Sequence, residues 1–145
     1  MQVTRFTVLL LALTCVSAMI VEKVGDLPAK IIAGEIHYSR IPVEYWEHRL
    51  LTIKSMGFNA LSIYIMWNYH ETDKGKFDYE TENKNLPLFL SLAKKHNFYV
   101  LFRPGPYVCA EWDFGGLPPR LLNPSAGVKI RQNNPGFLAE TKIYF

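Results

Sequence analysis

Residues 98–118 read FYVLFRPGPYVCAEWDFGGLP, and this stretch indicates the fold more directly than any other part of the chain. It opens with five apolar residues, Phe98–Phe102, a run typical of a strand that is buried on both faces. Arg103 ends the run, and the prolines that follow end regular structure. A loop rich in aromatic and carboxylate side chains comes next. A buried parallel strand with such a loop at its carboxyl end predicts a ligand site like those of β/α barrels.

The composition of this loop favours a sugar as the ligand. Tyr107 and Trp112 supply rings that stack on the apolar faces of sugars, and Glu111 and Asp113 supply carboxylates that accept hydrogen bonds from hydroxyl groups.

Two further apolar runs, Ile31–Ile36 and Ala60–Trp67, are predicted to be strands. Alternation along the second run predicts Ser62, Tyr64 and Met66 on one face and Ile63, Ile65 and Trp67 on the other. One helix, Pro42–Met56, is predicted between these two runs, and another, Leu86–His96, between Ala60–Trp67 and Phe98–Phe102. The first helix places Trp46, Leu50 and Ile53 on one face and ends at Gly57. Asn85 is expected to cap the second, whose inward residues are Leu86, Phe89, Leu90 and Ala93.

This alternation of strand and helix predicts an α/β protein with a parallel sheet. The pattern by itself fits a doubly wound sheet as well as a barrel. The polar segment Tyr69–Asn83 is predicted to be a surface loop. A further helix is expected to begin near Thr141–Phe145.

Composition excludes several functional classes. The chain has 145 residues, 49% of them hydrophobic, and a net charge of +3, as expected of one globular domain. Its 16 basic residues are scattered, so no nucleic-acid partner is expected. His70-Glu71 lacks a second histidine at i+4, and no His/Cys cluster has the spacing of a metal site, so neither metal nor cofactor is expected.

Residues 1–18 are predicted to be a secretory signal peptide, with Arg5 as its basic region and cleavage after Ala18. An uncleaved anchor remains the alternative. The mature part, residues 19–145, is then expected in the secretory pathway, secreted or lysosomal/vacuolar, without a membrane partner. Cys15 would leave with the signal, so Cys109 is expected to be a free thiol or to lack its partner.

Three segments together resemble family 35 of the glycoside hydrolases, the β-galactosidases. Residues 103–118 resemble the central motif of the family. Gly34–Pro42 resembles its first barrel strand with the turn that follows, and Tyr64–Glu71 resembles the end of its second strand. The order and the approximate spacing also agree.

The resemblance implies a galactoside substrate, cleaved at terminal non-reducing β-galactose with retention. It selects the barrel, so the chain is expected to hold the first three βα units of a (β/α)8 TIM barrel, truncated, since such barrels need about 250 residues. The two catalytic glutamates of the family follow its fourth and seventh strands. Neither of their motifs occurs here, so no catalytic residue is expected before residue 145. The alternative is a catalytically inactive, truncated paralogue that binds galactose.

The resemblance also implies the substrate-binding residues. Glu111 matches a glutamate that accepts hydrogen bonds from galactose, and Tyr64 matches a tyrosine that meets the sugar. The backbone of Val108, Cys109 and Ala110 is expected to line the same pocket. In some members the cysteine matching Cys109 forms a disulfide with a later one, which this chain lacks.

The residues alone leave other roles open. The position of Glu111 after a buried strand, beside Trp112, predicts a buried carboxylate, which could equally tie down the loop. Tyr64 could equally be a core tyrosine. The charged and imidazole groups near the strand ends could orient catalytic carboxylates or simply hold the barrel mouth together: His37, His70, Glu35, Glu71 and Arg103.

Overall fold

The structure, a computed structural model, describes residues 30–145. The predicted signal peptide, its cleavage site and Cys15 lie outside the described residues. In chain order the elements are β1 (Ala33–Glu35), α1 (Trp46–Ser55), β2 (Ala60–Tyr64), α2 (Trp67–His70), β3 (Glu71–Asp73), β4 (Lys76–Phe77), α3 (Leu86–Lys95), β5 (Tyr99–Arg103) and α4 (Pro135–Tyr144).

The main sheet has three parallel strands in the order β1-β2-β5. Ala60 in β2 lies between Ala33 in β1 and Tyr99 in β5. The predicted α/β class is therefore confirmed. The strand β1 is shorter than predicted, but backbone hydrogen bonds continue beyond both of its ends, from Ile36 N–H to the Ser62 carbonyl and from Ala60 N–H to the Ile32 carbonyl.

Helices α1 and α3 pack side by side on one face of the sheet, and their predicted inward faces are confirmed. Trp46 and Leu50 from α1 and Phe89 from α3 are fully buried against Ile63 of β2. The rings of Trp46 and Phe89 meet edge to face, with centroids 5.4 Å apart. Large apolar side chains of this kind contribute about 1.5–3 kcal/mol each on full burial, so this face supplies most of the core.

The predicted cap of α3 and the predicted end of α1 are confirmed, but α1 begins at Trp46 rather than at Pro42, because Val43–Tyr45 form a separate 3-10 turn. The side chain of Asn85 accepts a hydrogen bond of 2.9 Å from the backbone N–H of Leu88, which satisfies a donor that the first turn of α3 leaves unpaired. After α1 the chain reverses at Gly57, whose φ of +89° is accessible to glycine at little cost.

The faces of β2 separate two groups of side chains, as the alternation predicted. Ile63 and Ile65 face the helices, whereas Tyr64 and Met66 pack with Val108 on the other side. The strand ends at Tyr64, and Trp67 instead begins α2. Trp67 therefore joins a third apolar cluster with residues from the end of the chain, namely Leu117, Leu121 and Phe137.

The structure corrects three predictions about secondary structure and burial. First, β5 is not buried on both faces: Tyr99 is 40% and Phe102 49% exposed, because β2 is its only neighbour among the described strands. Second, the segment predicted to be a loop, Tyr69–Asn83, contains the antiparallel pair β3 and β4. Third, α4 begins at Pro135, where Asn134 caps the helix and proline fits its first turn, a signal present in the sequence.

Candidate functional site

The loop that follows β5 folds back onto β2. The backbone N–H of Val108 donates a hydrogen bond of 2.8 Å to the carbonyl of Gly115, which closes the loop. Gly115 has φ +60°, and the ring of Tyr107 occupies the space that a Cβ atom there would need. Glycine is thus required at Gly115 by the close approach of Tyr107 and by the backbone conformation, and at Gly116 by its φ of +78°. The closure buries Val108 beside the end of β2.

Tyr64 lies at the carboxyl end of β2 and is 5% exposed. Its hydroxyl donates a hydrogen bond of 3.4 Å to the carbonyl of Cys109. The Arg103 guanidinium lies 4.0 Å from the centre of the Tyr64 ring, and His37 stacks with the same ring at 5.8 Å. Burial raises the pKa of Tyr64 despite the opposing effect of Arg103, so the phenol remains a hydrogen-bond donor.

Glu35 connects the groups around this ring. Its carboxylate lies 3.0 Å from Nη1 of Arg103 and 3.1 Å from Nε2 of His37. Burial, assisted by the charge of Arg40, lowers the pKa of His37 although Glu35 opposes the shift, which favours a neutral imidazole that donates to the carboxylate. Three of the charged and imidazole residues near the strand ends, namely Glu35, His37 and Arg103, therefore form one network around Tyr64.

Glu111 is exposed, so the prediction that its carboxylate is buried is wrong. The core contact in this part of the loop is made by Ala110, which is 2% exposed, and the backbone then turns at Glu111 with φ +46°. The next residue, Trp112, is half-buried and donates from Nε1 to Oδ1 of Asn68 at 2.9 Å. The turn thus places the Glu111 carboxylate at the surface, while Ala110 and Trp112 on either side of it are held in place.

A cleft of about 360 Å³ opens beside Tyr64 at the carboxyl ends of the strands. It brings together three of the five predicted binding residues, namely Tyr64, Val108 and Cys109. Ala110 and Glu111 are not among its lining residues. Tyr107, which the sequence indicated as a ring for sugar stacking, also lines the cleft. The other lining residues, which the sequence did not single out as binding residues, are Arg103, Pro104, Gly105 and Arg131.

Arg131 is the lining residue that sequence reasoning had least chance of finding. Its guanidinium lies 4.2 Å from the centre of the Tyr107 ring, although the two residues belong to different loops. No periodicity or motif marks it. Cys109 is exposed and is the only cysteine within residues 30–145, so no disulfide forms there.

His70 and Glu71 lie apart from this cleft and hold other parts of the structure together. His70 is fully buried and its Nδ1 donates to the Asp78 carbonyl at 2.7 Å, so its Nε2 accepts from the Tyr38 hydroxyl at 2.6 Å. Arg120 donates two hydrogen bonds to the Glu71 carboxylate, at 2.8 and 3.0 Å. Burial alone would raise the pKa of Glu71, but the hydrogen bonds from Arg120 and the Gly75 N–H outweigh it and lower the pKa.

Within the described residues, 30–145, no three His, Cys, Asp or Glu side chains are grouped so that they could hold a metal ion. In the same part of the chain no helix has the length and apolar character needed to cross a membrane.

Fold and site together define an α/β protein with an aromatic, arginine-flanked cleft at the carboxyl ends of parallel strands. Residues 23–145 match the family described as glycosyl hydrolases family 35, and the chain belongs to this family. The resemblance seen in the three sequence segments is therefore confirmed, and membership implies a TIM-barrel catalytic domain.

Curated relatives agree with this assignment. The chain is 47% identical over 115 residues to beta-galactosidase-1-like protein 3 of Rattus norvegicus, an alignment that covers 79% of this chain and 18% of that protein. It is 44% identical over 112 residues to the beta-galactosidase of Homo sapiens, with 77% of this chain and 16% of that protein covered. The chain thus spans less than a fifth of the length of these relatives.

Proposed function

We propose that this chain forms the galactose-binding part of a retaining β-galactosidase, which hydrolyses terminal non-reducing β-galactose. The observation that carries the proposal is the cleft beside Tyr64, in a chain of glycosyl hydrolases family 35. The cleft lies at the carboxyl ends of parallel strands, where β/α barrels bind their substrates.

The proposal includes the architecture of the whole catalytic domain. The consecutive parallel order β1-β2-β5, with α1 and α3 packed together on one face, is what the first three units of a (β/α)8 barrel require. The exposed edge of β5 would then pair with a fourth strand. Such an edge needs a neighbour, because its N–H and C=O groups otherwise remain unpaired.

Each proposed binding residue has a chemical role that suits a sugar. The Tyr64 hydroxyl, kept protonated by burial, donates to the sugar in place of its long hydrogen bond to the Cys109 carbonyl. The backbone of Val108 and Cys109 lines the cleft beside it, and Ala110 follows next in the chain. The exposed carboxylate of Glu111 accepts hydrogen bonds from sugar hydroxyls. Tyr107 adds an aromatic ring to the lining of the cleft.

The acid and the nucleophile of the reaction are proposed to lie outside these 145 residues. Retaining hydrolysis needs two carboxyl groups about 5 Å apart. Glu35 is paired with Arg103 and Glu71 with Arg120, so both carboxylates already hold parts of the fold together. An entry into the secretory pathway through residues 1–18 belongs to the same proposal.

The direct test of sugar binding is a saturation-transfer NMR titration of the purified 145-residue chain with galactose, with its 4-epimer glucose as the control. We expect galactose to bind more tightly than glucose. Glu111→Gln should weaken galactose binding about tenfold, since charge-assisted hydrogen bonds are worth about 1.5–3 kcal/mol and the exposure of Glu111 favours the lower value. Equal binding of both sugars would contradict the proposal.

Hydrolysis is tested in a chimaera in which the aligned segment of this chain replaces that of the Homo sapiens beta-galactosidase. We expect the chimaera to cleave a chromogenic β-galactoside and the 145-residue chain alone to show no turnover. A folded chimaera that binds galactose without hydrolysing it would favour the inactive, galactose-binding paralogue. Turnover by the chain alone would require a catalytic role for its own carboxylates.

A further inference from the structure

We infer that Arg40 is a positioning residue that holds the Glu111 backbone in the conformation from which its carboxylate meets the sugar. The inference rests on the proposed function. Nη2 of Arg40 donates one hydrogen bond of 2.8 Å to the Ala110 carbonyl and one of 2.7 Å to the Glu111 carbonyl. These contacts join residues 70 and 71 positions apart, in the loops that follow β1 and β5.

Glu111 needs such support because its own conformation is unfavourable. Its φ of +46° lies in the left-handed region, which costs free energy for any residue that has a Cβ atom. Glu111 is exposed, so packing does not compensate this cost. Among residues 30–145 no backbone N–H donates to the carbonyl of Ala110 or of Glu111, which leaves the guanidinium as their partner.

The Arg40 guanidinium also contacts Trp112, the residue that follows Glu111. Arg40 lies 5.1 Å from the centre of the Trp112 ring, and the indole N–H of Trp112 is bound to Asn68. The turn at Glu111 is therefore held on both sides, by Arg40 and by Asn68. A planar guanidinium can donate to two carbonyls and stack on a ring at once, whereas a lysine ammonium at this position keeps the donors but loses the stacking.

The first test reads the conformation of Glu111 without any ligand. In the 145-residue chain, Arg40→Met keeps the apolar stem and removes the donors, and NMR backbone shifts with the amide–Hα coupling report φ of Glu111. In the unchanged chain we expect the shifts and the coupling of Glu111 to report a positive φ. Arg40→Lys should retain this conformation in part, and Arg40→Met should lose it. Arg49→Met, an exposed arginine on α1, is the matched control and should change nothing at Glu111. Left-handed values that persist in Arg40→Met would overturn the inference.

The second test is a double-mutant cycle on galactose affinity. Arg40→Met and Glu111→Gln are each expected to weaken binding about tenfold, while the double variant should stay within about twofold of Glu111→Gln. A role limited to loop stability would give additive losses, about 100-fold in the double variant, and would overturn the inference. Failure of the unchanged chain to bind galactose would refute the proposed function alone, because the conformation of Glu111 still decides the role of Arg40.

Discussion

Replacement of Gly115 by alanine is expected to lower the free energy of unfolding by about 2–4 kcal/mol. Two costs add. The φ of +60° in a residue with a Cβ atom costs about 1 kcal/mol. The new methyl group would overlap the Tyr107 ring, and forcing atoms into occupied space costs about 1–3 kcal/mol. The two sides of the loop cannot move apart, because the hydrogen bond of Val108 to the Gly115 carbonyl joins them, and the Arg131 guanidinium lies against the ring.

Gly127 provides a matched control for this prediction. Its φ of +63° is nearly the same, but no heavy atom lies within 4 Å of the position of a Cβ atom. Gly127→Ala should therefore cost about 1 kcal/mol, the backbone cost alone. Tyr107→Ala removes the ring, so adding Gly115→Ala to that variant should again cost about 1 kcal/mol.

Urea unfolding of the 145-residue chain, followed by tryptophan fluorescence, measures these differences. The reasoning is refuted if Gly115→Ala and Gly127→Ala lower the free energy of unfolding equally, since the ring would then not occupy the space beside Gly115. It is also refuted if removal of Tyr107 leaves the cost of Gly115→Ala unchanged.

Three further predictions concern stability. Burial lowers the pKa of His70 below 6.5, so the unfolded chain binds the proton more readily and the free energy of unfolding should fall as the pH drops below about 6.5. Urea titrations at about pH 7.5 and pH 5.5 should show that the free energy of unfolding falls less in His70→Gln than in the unchanged chain. Arg120→Met should cost about 3 kcal/mol in the same assay, because the Glu71 side chain, 4% exposed, loses its partner; a loss under about 1 kcal/mol would contradict this. Asn85→Ala should cost about 1 kcal/mol and Asn85→Asp much less, since aspartate keeps the cap acceptor; equal losses would exclude capping.

The sequence by itself determined the three strands of the main sheet, the helices α1 and α3, and the inward faces of these two helices. The spacing of Trp46 and Leu50, the cap at Asn85 and the alternation along β2 all correspond to the structure. Each of these signals acts between residues a few positions apart, where backbone geometry alone decides which side chains share a face. The three motif segments likewise identified the family, because they are continuous in the chain.

Only the tertiary structure decided how the loops meet. The sequence placed Glu111 beside a buried strand, and nothing local showed that the loop would turn the carboxylate outward while Arg40 held its carbonyls. The contact of Arg131 with Tyr107 likewise joins two irregular segments. Such contacts depend on where separate loops come to lie once the sheet has formed. No periodicity in the chain encodes the distance between two loops. The cleft beside Tyr64 is therefore a property of the fold, built from residues that the sequence could name only in part.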